Sequence, residues 1–514
     1  MRPLTVIIML SWIVSLAAAP VYDILEYGAV ADGETINTEA IQSAIDECAW
    51  KGGGTVLIHS GTYVSGTIIL KNHVTLRVEA GATLLASPDL EDYPDITPEI
   101  PYQYTPRFTR YLIYAEKAEQ IAIEGRGTID GRGRDFPYIR GEDKNRPYII
   151  RFAECKNVRV QDIYFYDSAR WLQHYLGCED VVIDGITVVA TTRENRDGID
   201  IDSCDRVRIS NCDINSGDDA IVLKATAQRP CKNVVVTNCV LRSTASALKL
   251  GTESSGGFEN ILFDNCAIYD VTGDAIALEM VDGGRFDRVT VSNMVIDGAR
   301  TAIFVRLGNR ARPIPGIEPP GMGSMQNIII DNIQATNIRN WGCSITGLPD
   351  HPVEHVMLSN IRIRFEGGGT LEHAMQEVPE KPRAYPSSKM FETLPAYGFY
   401  CRHVRDLSFD HVRLDVEEPD IRPAMICDDV EQLEVTDFDA EINEQTKSYF
   451  SFVNVREALI SNCLPMGNCA MFLNLEGAQN QTISLFQNSL YTCQTITNPT
   501  GNALIHVGEN ITTR

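Results

Sequence analysis

Val207-Arg208-Ile209-Ser210-Asn211 returns 27 residues later as Val234-Val235-Val236-Thr237-Asn238, then as Ile261-Leu262-Phe263-Asp264-Asn265 and Val289-Thr290-Val291-Ser292-Asn293. Each copy alternates apolar and polar residues and closes on Asn. A period of two belongs to a strand, and no helical period runs through the copies. Working outward, earlier copies end at Asp162 and Gly185, later ones at Asn332 and Asn360, and a weaker one at Asp410. The core spacings are 23, 26, 27, 27 and 28 residues. A unit of this length with several short strands predicts one coil of a parallel β-helix. A leucine-rich repeat would show regular leucines, and a propeller blade would run to about 40 residues. The expected fold class is therefore all-β, a single-stranded solenoid over residues 20–514. Longer gaps before Asn332 and Asp410 predict insertions, placed in the Pro- and Gly-rich stretches 311–324 and 366–396 and read as lids or surface elaboration. One helix stands out, Thr38 to Cys48, with Ile41, Ala44, Ile45 and Cys48 on one face. It is placed to cap the open end of the solenoid, as such folds require.

Composition sets limits on partners. The chain has 514 residues, 44% hydrophobic and 22% charged, with a net charge of −24. That charge argues against nucleic acid, and a polyanionic substrate would need a local basic patch. Residues 1–19 read as a secretory signal: Arg2, the apolar run from Leu4 to Val14, then Ala17-Ala18-Ala19 before Pro20. With the alanines the uncharged stretch from Leu4 to Ala19 is 16 residues, short of the ~20 that span a membrane. The expectation is a secreted or periplasmic monomer with no membrane span after the signal is removed. Of the 14 cysteines, Cys212, Cys239 and Cys266 recur at one repeat position, and Cys155, Cys178, Cys204 and Cys231 each precede a strand-like segment. These read as stacked small core residues. Cys463 and Cys469 are the better candidates for a disulfide. No Cys/His spacing fits a zinc site; no cofactor is expected.

Aligning the coils exposes the chemistry. Gly198-Ile199-Asp200-Ile201-Asp202 lies over Ala220-Ile221-Val222-Leu223-Lys224, then over the segments at 247–251, 275–279 and 302–306. The Ile, Leu and Val positions match in all five and fill the core. The alternate positions face outward. The column before each segment reads Asp197, Asp219, Ser246, Asp274 and Thr301; the last reads Asp202, Lys224, Gly251, Glu279 and Arg306. Neighbouring coils lie ~4.8 Å apart, so Asp197 and Asp219 become adjacent with Asp218 beside them. A solvated sheet face would not gather three acids beside Lys224, Lys249 and Arg306. Clustered carboxylates shift one another's pKa and point to acid/base work.

Asn195-Arg196-Asp197-Gly198-Ile199-Asp200, followed one coil on by Gly217-Asp218-Asp219-Ala220-Ile221 and Lys224, resembles the polygalacturonases and relatives of glycoside hydrolase family 28. The run Tyr27 to Gly33, Gly52-Gly53-Gly54, Ser65-Gly66-Thr67, the Gly125 to Gly131 turn and the Trp171 to His174 segment are similar to bacterial members. The resemblance implies a right-handed β-helix and metal-free, inverting hydrolysis of galacturonic-acid linkages in pectin. It implies Asp218 as general acid and Asp197 and Asp219 as the residues that activate water. The sequence departs from the family at two places. Ala245-Ser246-Ala247 stands where a Gly-His-Gly is usual, and Ala277-Leu278-Glu279-Met280 stands where an Arg-Ile-Lys grips the substrate carboxylate. Substrate-binding candidates are thus His174, Lys224, Lys249, Arg306 and Arg310, with Glu253 and Glu279 at the fringe. The expected function is hydrolysis of a pectin-like polysaccharide. The alternatives are a different glycan linkage such as rhamnogalacturonan or a pectin side chain, a non-catalytic carbohydrate-binding β-helix, and a polysaccharide lyase.

Overall fold

The computed structural model describes residues 20–137, 139, 143–191, 195–318, 320–498 and 503–512. The secretory-signal reading of residues 1–19 lies outside them. The described chain forms 39 strands whose pairing is parallel from coil to coil. A coil crosses three sheets. Ile199–Asp202, Asp205–Ser210 and Asp213–Ser216 pair with Ile221–Ala225, Cys231–Thr237 and Val240–Ser243 of the next coil. No helix among the described residues is long and apolar enough to cross a membrane.

The Asn that closes each repeat has a conformational reason. Asn211, Asn238, Asn265 and Asn293 have φ of 58°, 55°, 54° and 56°, the left-handed turn between two sheets. Most side chains resist that region, and Asn tolerates it because its short amide bonds locally. The amides also stack: Asn332 Nδ2 donates to Asn293 Oδ1 at 2.7 Å, and Asn265 donates to Asn238.

The expected core is observed. Ile199, Ile201, Ile221, Leu223, Leu248, Leu250, Ile276, Leu278, Ile303 and Val305 are all fully buried. The cysteine stack is also present as thiols. Cys212, Cys239 and Cys266 each donate to the carbonyl two residues earlier, at 3.1–3.4 Å. The Cys463–Cys469 pairing is corrected: both are free, Cys463 bonds backbone carbonyls, and Cys469 lies against Cys493, in register on the neighbouring strand. Helix α1 spans Thr38–Trp50, two residues longer than expected, and buries the predicted face of Ile41, Ala44, Ile45 and Cys48.

Three of the excursions between strands rise over one sheet face. Two are the predicted insertions, between Leu307 and Ser324 and between Gly367 and Phe399. The third, between Ala86 and Tyr111, was not expected. Its signal is the run of Pro88, Pro94, Pro98, Pro101 and Pro106, which no strand accommodates. It lays Tyr104 and Phe108 against Trp171 and Tyr148.

Candidate active site

The alignment of coils holds at the acids. Asp200 pairs with Val222, Val222 with Lys249 and Lys249 with Ala277. The preceding column is fixed by the backbone: Gly198 N–H donates to Asp219 O, and Ala220 N–H to Ser246 O. Asp197 and Asp219 are thus consecutive rungs. They are nearly sealed from solvent, at 2% and 4% exposure, while Asp218 is only half-buried. The Asp218 carbonyl accepts hydroxyls from Ser216 and Ser243, both at 2.6 Å. Its carboxylate accepts the Asn195 backbone N–H at 3.1 Å and the Asn195 amide at 3.4 Å. Asn195 sits at φ 59° and is itself held by Arg146 at 3.2 Å.

Each acid has a different electrostatic setting. Asp219 meets Lys249 Nζ at 3.1 Å and accepts the Ser246 N–H at 3.1 Å. Burial, and then Asp200, push Asp197 well above the usual carboxylate range. Burial likewise pushes Asp200 up, to about 8, against the pull of Lys224. These two acids face one cation, Lys224, at 3.6 and 3.4 Å. Two carboxylates so placed oppose each other's ionisation. Asp218 is raised by burial and by the charge of Asp219.

Lys224 and Lys249 were expected to bind substrate, but both are buried under the acids. Burial alone would discharge Lys224; Glu253, Asp200 and Asp197 keep it charged. Its ammonium lies 4.4 Å from the Trp171 ring centroid. Glu253 reaches it, at 3.3 Å, through an irregularity. Leu223 opposes Leu250, but Ala225 opposes Ser254, so two extra residues interrupt the ladder. The expected column from Lys224 to Gly251 is broken there. Glu253 is drawn well below its usual value, burial notwithstanding, by Lys224 and Arg312. Glu279 is pushed up to about 8 by burial, opposed by Lys249 at 3.9 Å.

His174 is not at the acids' open side. It is fully buried, with Nε2 3.0 Å from Asp202 and Nδ1 against Arg151. Burial and the Arg151 charge push it down to about 3, so it is a neutral packing element under Trp171. Arg306 is also committed elsewhere, to the carbonyls of Gly347 at 3.0 Å and Glu380 at 2.6 Å. Arg310 differs. Its guanidinium lies 5.2 Å from the Tyr385 ring, and its buried Nη1 has no hydrogen-bond partner among the described residues.

Tyr385, Asp200 and the aromatic wall were missed. Tyr385 comes from the second insertion, accepts Lys249 Nζ at 3.1 Å, and is 55% exposed. Ser388 of the same insertion ties to Asp274. The alternation pattern marks Asp200 only as an outward residue. Tyr385 and the wall carry no local signal, because their partners lie far away in the sequence. As to metals, Asp410, His411 and Asp437 offer three possible ligand atoms close together. Ion pairs of 2.8 and 3.3 Å account for that grouping.

Coils, parallel sheets and an acid cluster on one face define the chain as a parallel β-helix protein with a built polar site. The chain belongs to glycosyl hydrolases family 28, whose model matches residues 65–384. It is 34% identical over 215 residues to a probable polygalacturonase of Vitis vinifera, covering 39% of this chain and 44% of that protein. It is 26% identical over 254 residues to an exo-poly-alpha-D-galacturonosidase of Dickeya chrysanthemi, covering 40% and 42%. The match therefore spans less than half the length of these curated relatives. The fold is shared with a hyperthermoactive exopolygalacturonase from Thermotoga maritima, at a TM-score of 0.59 and 22% identity, over 77% of this chain and 92% of that one. That neighbour is a right-handed β-helix, in keeping with the handedness the resemblance implies.

Proposed function

We propose that the chain is an inverting glycoside hydrolase of pectin-like polysaccharide, with Asp218 as general acid. The observation that carries the reading is the division of labour among three neighbouring carboxyls. Asp218 is the half-buried member, and burial and Asp219 oppose its ionisation. Asp219 is held by a lysine and a backbone N–H. Asp197 sits with Asp200 over Lys224, and burial and Asp200 oppose its ionisation. Hydrolysis then runs in one displacement. The anomeric carbon–oxygen bond breaks as Asp218 gives its proton to the leaving oxygen. A water held by Asp197 attacks from the opposite face and yields its proton to Asp219. One water is consumed and the configuration inverts.

Arg310 is the cation we assign to the sugar carboxylate, in place of the absent Arg-Ile-Lys. Its unpartnered Nη1 and its seat on Tyr385 support this, whereas Arg306 already spends two donors on carbonyls. Attack at chain ends is favoured over attack on interiors. Residues 102–108 cover the sheet on one side of the acids. Val378, Met390 and Phe391 pack over Ala277 and Phe304 on the other. A polymer cannot lie along a floor covered at both ends. The test is digestion of polygalacturonate read by product mass. The native chain is expected to release one short product from the first time point, with inverted configuration. Asp218→Asn is expected to fold and to lose about 10²–10⁴-fold in kcat. An active Asp218→Asn protein rejects the assignment.

A further inference from the structure

The sheet face that carries the acids does not stop at them. From Phe304 the same outward column continues through Ser344, Tyr400, Ile426, Ser451 and Asn474, each paired in register with the last. Beyond the second insertion this stretch forms the floor of a cleft of 720 Å³. At ~4.8 Å per coil its floor begins roughly 20 Å from Lys249. The insertion stands between the two places. Its Tyr385 closes on the acids, and its short helix Leu371–Ala374 forms the lip of the cleft.

The cleft contains a buried cation with unspent capacity. Arg402 is 6% exposed. Its Nη1 donates to Val378 O at 2.7 Å, and its Nε faces Glu380 at 3.2 Å. Its Nη2 is buried without a hydrogen-bond partner among the described residues. A buried donor left unsatisfied is costly, and a native site usually fills it. The guanidinium lies 5.6 Å from the Tyr400 ring. Asp428, on the next coil, lines the same cleft, and burial opposes its ionisation. Farther along the floor, Asn474 donates to Ser451 at 3.2 Å and to Glu476 at 2.8 Å. Above them Leu371 and Met375 are 64% and 73% exposed. A carboxylate donor site, neighbouring amide and hydroxyl groups, and an apolar lip together suit a sugar acid: charge at one point, hydroxyls beside it, a C–H face above.

We propose that this cleft is a second carbohydrate site, which holds a uronate residue of the polymer by its carboxylate at Arg402 and its hydroxyls at Ser451 and Asn474. The inference rests on the substrate class proposed above. The insertion blocks the sheet floor, so the cleft is no extension of the catalytic pocket. It holds the polymer by another stretch, or by another chain, and raises the local concentration of ends.

Calorimetry of galacturonate trimer on the full Asp218→Asn chain tests it. Two sites per chain are expected. Ser451→Trp fills the cleft and is expected to leave one. Lys447 lines the cleft rim, exposed, with its ammonium 3.9 Å from Glu476; Lys447→Glu reverses that charge and is expected to weaken the second site while leaving the fold intact. In chains with native Asp218, neither change should alter kcat/KM on the trimer, and both should raise KM for long polymer. One site in the Asp218→Asn chain, or two undiminished sites in both variants, overturns the proposal while leaving the catalytic reading intact. Equal filling of the cleft by a neutral oligosaccharide of the same length overturns the carboxylate assignment. No binding at either site overturns this proposal and the substrate class together.

Discussion

Asn195 governs the proton on Asp218 from the neighbouring coil. Its amide and its N–H both donate to Asp218 Oδ2, and hydrogen bonds to a carboxylate favour the charged form. Asn195→Ala removes the side-chain bond, so Asp218 keeps its proton to higher pH. The alkaline limb of the kcat profile, where a general acid is lost, should move upward; a fixed limb would separate Asp218 from that limb. Lys249 is a second residue whose removal is diagnostic. Lys249→Met strands a buried Asp219, and breaking a buried pair from one side costs about 3–5 kcal/mol. Denaturant unfolding should show that loss, and adding Asp219→Asn should recover much of it. Recovery would show that the lysine serves the acid. A substrate-binding lysine would instead change KM with little effect on stability. At this scale the sequence was legible where chemistry follows the period of two. It brought Asp197, Asp218 and Asp219 together correctly. It failed at Lys224 and Lys249, whose outward direction suggested a wet groove. What seals them, Tyr104 and Tyr385, lies 149 and 136 residues from the partners Glu253 and Lys249.

The second insertion is held by a latch that titrates. Glu380 Oε1 meets His403 Nε2 at 3.0 Å and Arg402 Nε at 3.2 Å, while Asp429 holds His403 Nδ1 at 2.7 Å. Asp429 is itself shared with Arg456 at 3.1 Å. Burial opposes the imidazolium, but Glu380 and Asp429 outweigh it and raise His403 above its usual value. A raised base stabilises the folded arrangement fully below its unfolded pKa, about 6.5. That contribution disappears as pH rises through the raised value. Hydrogen exchange in residues 371–396 should therefore be slower in acid than expected from intrinsic rates and should quicken several-fold above neutrality. His403→Gln should flatten the difference. Uniform protection across pH would mean the insertion is held without the His403 latch, by contacts such as Phe391 on Phe304 and Ser388 on Asp274. The sequence placed this insertion within a few residues but could not say where it lands. Its Pro and Gly content marks a departure from the coil, and the landing site depends on Arg306, Asp274 and Arg402 from three different coils.

Across the whole molecule, legibility followed repetition. Coils that repeat every 27 residues or so announce their core, their turns and their neighbours. The two residues that interrupt the ladder after Leu250, and the Pro-rich rise after Ala86, occur once each and carry no period to be read. Yet these single events shape the site: one brings Glu253 to Lys224, and the other roofs it with aromatic rings. The asparagine turns have a mechanical corollary. Each left-handed turn closes one coil on its neighbour alone, so load applied along the axis meets one set of rungs at a time. Pulled from its two ends in a force microscope, the chain should yield in a train of similar steps. Each regular coil of 27 residues should release on the order of 90 Å of contour. The coils that carry the insertions should lengthen their own steps in proportion, so that the trace reads out the order of excursions along the chain.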